Sequence, residues 1–166
     1  MLKLYKRIDR RLAYWEAWIN EDEGTIVEHW GFVGETGDRR DHPLPRERSL
    51  RPEALVKETL REAIHAGYAA IPTEEHARLV VEFPWASASA AALLAKRHEL
   101  EDRLNETLGW TGLGACDGGS AGSGTMEVCC LVVDYALAQA VVAADLKNTK
   151  FGDYTRIYDG GEQGHS

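Results

Sequence analysis

The stretch TMEVCCLVVD, residues 125–134, constrains the fold more than any other in the chain. Between Met126 and Val133 only Glu127 is charged, and the run is short and rich in β-branched residues, which at this length points to a strand rather than a helix. Successive side chains of a strand point to opposite faces, so Met126, Val128, Cys130 and Val132 share one face and Glu127, Cys129, Leu131 and Val133 the other. Both faces are substantially apolar, the pattern of a strand inside a sheet. If helices cover only one side, the other face calls for a cover of its own: the rest of the chain, a second copy forming a homo-oligomer, or a partner.

Flanking segments supply the rest of that unit. ARLVVEFPW reads as a strand. Residues 87–108 read as a helix with Leu93, Arg97, Leu100, Leu104 and Leu108 along one face, Arg97 at the stripe's edge, and Gly109 as terminator. Asp134 is placed to cap a helix carrying Ala138, Val141, Val142 and Leu146, and YTRIYD closes as a short strand. Strand, helix, strand, strand, helix, strand over residues 78–159 is the βαββαβ, ferredoxin-like arrangement. Before it, IPTEEHA (71–77) is polar and proline-containing and reads as a linker.

Residues 1–70 form a different unit. KLYKRI (3–8), YWEAWIN (14–20) and TIVEHWGFVG (25–34) read as strands, with EDEG as a hairpin turn. In the second run Trp15, Ala17 and Ile19 share one face, and Tyr14, Glu16 and Trp18 the other. RRDHPLPRERSLRP reads as a proline-punctuated loop. PEALVKETLREAIHAG reads as one helix, with Pro52 in its first turn, a Val56, Leu60, Ile64 stripe, and Gly67 as stop. The expected class is therefore α+β: a small antiparallel sheet plus helix, then a ferredoxin-like unit, with 160–166 as a disordered tail.

Six glycines between Gly112 and Gly124 form the most unusual composition in the chain. Gly119 and Gly124 have the spacing of a phosphate loop, but Thr125 stands where the lysine is needed. A dinucleotide fingerprint fails likewise, with Asp117 in the third glycine's place after Gly112 and Gly114, and Glu127 after Gly122 and Gly124. Cys116, Cys129 and Cys130 lack the spacing of a zinc site, and no calcium-loop pattern is present, so neither metal nor cofactor is expected. A nucleophilic Cys116 beside Asp117 would need His98 or another base brought in by the fold. The segment reads instead as a hairpin with surplus glycine, a bare backbone that something can approach.

Charge divides unevenly. Residues 1–72 hold 12 Lys and Arg against 13 Asp and Glu, whereas residues 73–166 hold 7 against 14, nearly all of the formal net charge of −8. The second half therefore repels phosphate backbones at long range. Three cysteines, two of them adjacent, make a disulfide framework unexpected and point to reduced thiols. No apolar run approaches the roughly 20 residues that cross a bilayer, and the charged start lacks a secretion-signal pattern, so no membrane partner and a cytoplasmic location are expected.

HWGFVGETGDRR (29–40), followed by EALVKETLREAIHAGY, resembles the WGR domain, a small sheet-plus-helix module. The matching features are Trp30 and Gly31, Gly34 and Gly37, the helix, and the closing Gly67 and Tyr68. In DNA-repair members the motif's Trp and Arg are implicated in contacts with DNA ends and neighbouring domains. Here Phe32 replaces that arginine, removing the charge-assisted phosphate contact. In the second half, the GLGACDGGSAGSGTMEV hairpin and the strand that follows look similar to small bacterial ferredoxin-like domains of unassigned function, some found among immunity or effector-neutralising proteins.

The leading expectation is a non-enzymatic, acidic protein-interaction module, immunity-like in kind, that binds a partner protein through Asp117, Gly118, Gly119 and Glu127, and secondarily through Trp30 and Phe32. No catalytic residue is assigned. The alternative is a nucleic-acid module using Arg39, Arg40, Arg46 and Arg48.

Overall fold

Residues 1–46, 50–85 and 89–161 are described by a computed structural model. They fall into two units, Met1–Ile71 and Pro72–Ser166.

In the first unit β1 (Leu2–Ile8), β2 (Arg11–Asn20), β3 (Thr25–Phe32) and β4 (Asp38–Pro43) form an antiparallel meander in chain order. β4 lies in the segment that sequence alone reads as loop. Its DRRDHP sequence has no apolar residue to show a period, and it is a mostly exposed edge strand, held by pairing with β3 from Trp30↔Asp38 to Thr25↔Pro43.

The expected single helix is two: α1 (Pro52–Thr59) and α2 (Arg61–His65), broken at Leu60, whose φ is −91° and ψ 9°. The Thr59 hydroxyl donates back to the Leu55 carbonyl, a side-chain bond that competes with the helical ladder and bends it. Leu60 is fully buried all the same, in a core with Leu4, Ala17, Val56 and Ala63, onto which Leu2, Trp15, Ile19, Ile64 and Tyr68 pack.

The Trp-Gly stretch has a steric explanation on the other face of this sheet. The buried Tyr14 hydroxyl donates toward the Glu35 and Thr36 carbonyls, at 3.0 and 2.9 Å, so residues 33–37 fold down against the strands. A Cβ on Gly31 would lie 2.8 Å from the Gly37 Cα, and one on Gly37, where φ is +69°, would lie 2.2 Å from the Trp30 carbonyl oxygen.

In the second unit a short 3-10 turn, Thr73–Glu75, occupies the expected linker. Then follow β5 (Ala77–Pro84), α3 (Ala90–Trp110), β6 (Gly114–Gly122), β7 (Thr125–Val132), α4 (Tyr135–Leu146) and β8 (Arg156–Asp159). The sheet order is β6-β7-β5-β8 with every neighbouring pair antiparallel, so both helices cross over one intervening strand, as the βαββαβ reading requires. Met126, Val128, Cys130 and Val132 of β7 are fully buried, as are Leu79, Val81 and Phe83 of β5, Leu100, Leu104 and Leu108 of α3, and Ala138, Val142 and Leu146 of α4.

Four local expectations change. α3 begins at Ala90, with the Ser89 side chain capping the Ala92 N–H; Ser87 lies outside the described residues. It also runs through Gly109 to Trp110, because the left-handed residue that stops a helix is Gly112. The expected glycine hairpin is present, but most of it is strand β6, Gly114–Gly122, and it turns into β7 through Ser123 and Gly124 alone. Of the tail, Gly160 and Gly161 form an ordered turn bonded to the Arg78 carbonyl and the Asp159 carboxylate; 162–166 lie outside the described residues.

Gly24 and Gly37 share a positive φ, but a Cβ on Gly24 meets nothing within 4 Å. Gly24→Ala is expected to cost about 1 kcal/mol from backbone strain alone. Gly37→Ala should cost at least about 3 kcal/mol, since a clash is added to the strain. Urea unfolding with amide exchange read on β2 and β3 measures the difference, and equal costs would contradict the packing described.

Candidate functional site

The glycines of β6 let this strand lie tight against β7 and α3. A Cβ on Gly119 would fall 2.3 Å from the Glu127 carbonyl oxygen and 3.3 Å from Cδ of Arg97 on α3. Between Cys116 and Gly119 the register with β7 shifts, a bulge that contains Asp117 and Gly118. Beyond it the pairing runs Ser120↔Glu127, Ala121↔Met126 and Gly122↔Thr125, closed by a two-residue turn with φ of 51° at Ser123 and 83° at Gly124. Both values are positive, as the tight hairpin turn with matching twist requires.

Along α3, Arg97, Glu101 and Asn105 recur every four residues and so share one line facing β6. The Asn105 side-chain oxygen accepts from the Cys116 N–H at 2.8 Å, and the Cys116 thiol donates to the Glu101 carbonyl at 3.7 Å. Arg97 Nε lies 3.2 Å from Glu101 Oε1, close enough for an ion pair but off the hydrogen-bond direction. Cys116 Sγ is 3.2 Å from Cys130 Sγ across the strands. His98 is exposed on α3, whereas the Cys116 thiol meets this carbonyl and this sulfur.

On the opposite face of the sheet a polar ladder forms. Tyr158 of β8 donates to Glu127 Oε1 at 2.7 Å, Ser120 of β6 donates to Glu127 Oε2 at 3.1 Å, and Arg156 donates to Glu82 at 2.9 Å. The Arg156 guanidinium lies 4.2 Å over the Tyr158 ring. Burial, and then the bond to Glu127, push the Tyr158 phenol up to about 12. Cys129 faces this side too; burial raises its thiol, and Asp117 and Glu127 add to the effect.

The expected binding residues thus divide. Glu127 has both carboxylate oxygens committed within the sheet, whereas Asp117, Gly118 and Gly119 are exposed on the bulge. Ser120, Tyr158 and Arg156 are missed by sequence reasoning, because only the strand register brings them to Glu127. A glutamate in an otherwise apolar run is the one signal that a polar partner lies across the sheet.

In the first unit Trp30 and Phe32 are half-buried. The Arg11 guanidinium lies 3.8 Å over the Phe32 ring and pairs with Glu35, so a guanidinium from β2 covers the residue that replaces the motif's arginine. Arg40 lies 5.4 Å over Trp30. Arg39 is bound to Asp41 at 2.8 Å and Glu23 at 3.3 Å, while Arg46 is exposed and Arg48 lies outside the described residues.

One other titratable array has the look of catalytic machinery: His29 contacts Glu16 through Nδ1 at 2.8 Å and the Thr36 carbonyl through Nε2 at 2.5 Å, and Lys3 pairs with Glu16 at 3.0 Å. His29 is 1% exposed and both its nitrogens are engaged, so the array ties β1, β2 and β3 to the loop that follows. Among the described residues no group of three or more His, Cys, Asp or Glu is placed to hold a metal ion.

Removing the carboxylate that accepts from Tyr158 should lower its phenol from about 12 toward the ordinary 10.0. In Glu127→Gln, a tyrosine-ring NMR titration is expected to show this one phenol ionising at lower pH. An unmoved titration would break the ladder as described.

Compared with known proteins, the chain gives no significant match to any family model, curated protein or solved structure.

Proposed function

We propose that this chain is a non-enzymatic protein-binding module, and that the partner docks an extended segment along the free edge of β6. The observation that carries the reading is the edge itself. β6 is terminal in its sheet, residues 117–122 are all exposed, and Gly118, Gly119, Ala121 and Gly122 offer almost no side chain to keep a second backbone away. In a two-residue hairpin the residues flanking the turn exchange both hydrogen bonds, so Ala121 directs its N–H and C=O outward. Addition of a strand to such an edge supplies affinity through main-chain bonds.

Asp117 on the bulge and the charge of residues 73–166 favour a basic partner and speed encounter with it. An immunity-like role, restraint of a basic effector, is the narrower form of the same proposal. The Trp30 and Phe32 surface is secondary to it, since both rings are half-buried under guanidinium groups. The nucleic-acid alternative is weakened by Arg39, whose charge is already met by two carboxylates.

The test is affinity capture with tagged full-length chain after nuclease treatment, comparing wild type with Ala121→Pro, which removes an outward donor. Loss of a stoichiometric, nuclease-resistant protein partner by at least about tenfold, or ~1.4 kcal/mol, is expected. Asp117→Asn should weaken the same partner less and flatten its salt dependence. Equal retention by Ala121→Pro, or recovery only of nuclease-sensitive material, would overturn the assignment.

A further inference from the structure

We propose that Cys116 and Cys130 are a peroxide-responsive dithiol, joined by a disulfide across β6 and β7 when oxidised. The two are direct cross-strand partners, and their sulfurs lie 3.2 Å apart. Paired residues in an antiparallel ladder have Cα atoms about 4.5 or 5.5 Å apart, and both values lie inside the span a disulfide bridges. Bond formation at about 2.05 Å then requires the sulfurs to close by about 1 Å. The bulge that begins at Cys116 is where the ladder is already interrupted, and Gly118 within it, at φ 101°, has open space where a Cβ would stand, unlike Gly114 and Gly119 on either side.

The two cysteines differ in a way that assigns their parts. Cys116 is half-buried near the exposed bulge, and its sulfur meets the Glu101 carbonyl and Cys130. Cys130 is fully buried beneath the helices, and its contact with Cys116, together with burial, holds its thiol far above the usual range. Cys116 is therefore the sulfur that peroxide reaches, and Cys130 the one that resolves. Cys129 lies on the opposite face of β7 and takes no part.

The chemistry balances with hydrogen peroxide as the oxidant. The Cys116 thiol gives up its proton to solvent and its sulfur attacks one peroxide oxygen, forming an S–O bond and breaking O–O, and the hydroxide that leaves takes up a proton to become the first water. Cys130 sulfur then attacks the Cys116 sulfenic acid; the S–O bond breaks, the Cys130 proton leaves with the hydroxyl as water, and the S–S bond forms. Two thiols lose two electrons and one peroxide becomes two waters.

The experiment treats the purified full-length chain with hydrogen peroxide, counts free thiols and maps peptides without reduction. Loss of two of the three thiols, a linked Cys116–Cys130 peptide, and recovery with dithiothreitol are expected. Cys129→Ser should lose both remaining thiols, and Cys116→Ser should keep Cys130 reduced. Unchanged thiols, a link to Cys129, links between molecules, or Cys116 driven to sulfinic acid with Cys130 free would each overturn the proposal. Because the wild-type map alone decides between these outcomes, the test survives a variant that fails to fold.

Discussion

The second unit depends on β7 being buried where it is paired. It is hydrogen-bonded on both sides, to β5 and to β6, and its four inward residues are fully buried on the face that α3 packs against. Each fully buried aliphatic side chain contributes about 1.5–3 kcal/mol, so β7 with the leucines above it dominates that core. Because β7 fixes the register of both neighbours, it also fixes which face each neighbour's side chains occupy. That is why Cys116 meets Cys130 under α3 while Ser120 meets Glu127 on the far side.

The first unit solves a different problem. One face of its meander is closed by α1 and α2 over an aliphatic core, while the other carries Tyr14, Glu16 and His29, buried and polar. Buried polar groups of this kind are tolerable only when hydrogen-bonded, and the carbonyls of Glu35 and Thr36 provide partners only because the loop folds flat. The flat approach in turn excludes a Cβ at Gly31 and Gly37. The glycines of the Trp-Gly stretch are thus explained by packing within the unit, and no ligand need be invoked for them.

Legibility in the sequence followed the strength of the apolar signal. β7, the leucine stripe of α3 and the Asp134 cap were readable because each carries a period or a capping residue, and the α+β, βαββαβ reading rests on them. β4 was not, since a polar edge strand has no apolar alternation to display, and of β6 only the place in the hairpin was readable, its length being hidden because a glycine strand shows no alternation either. The break at Leu60 turns on one hydroxyl bonding backward, which periodicity does not register. At the candidate site Asp117 was found by its charge within the glycine segment, whereas Tyr158 meets Glu127 across 31 residues of chain and becomes visible only with the register of three strands.

The central claim is that the glycine-rich segment is an ordered edge strand, paired with β7 on one side and exposed on the other over residues 117–122. Residue-resolved amide hydrogen exchange over 114–124 tests it most directly. Strong protection at Ser120 and Gly122, whose N–H groups face β7, alternating with fast exchange at Ala121, is the predicted result. Fast exchange throughout the segment would mean a loop, and would remove both the docking edge and the fixed approach of Cys116 to Cys130.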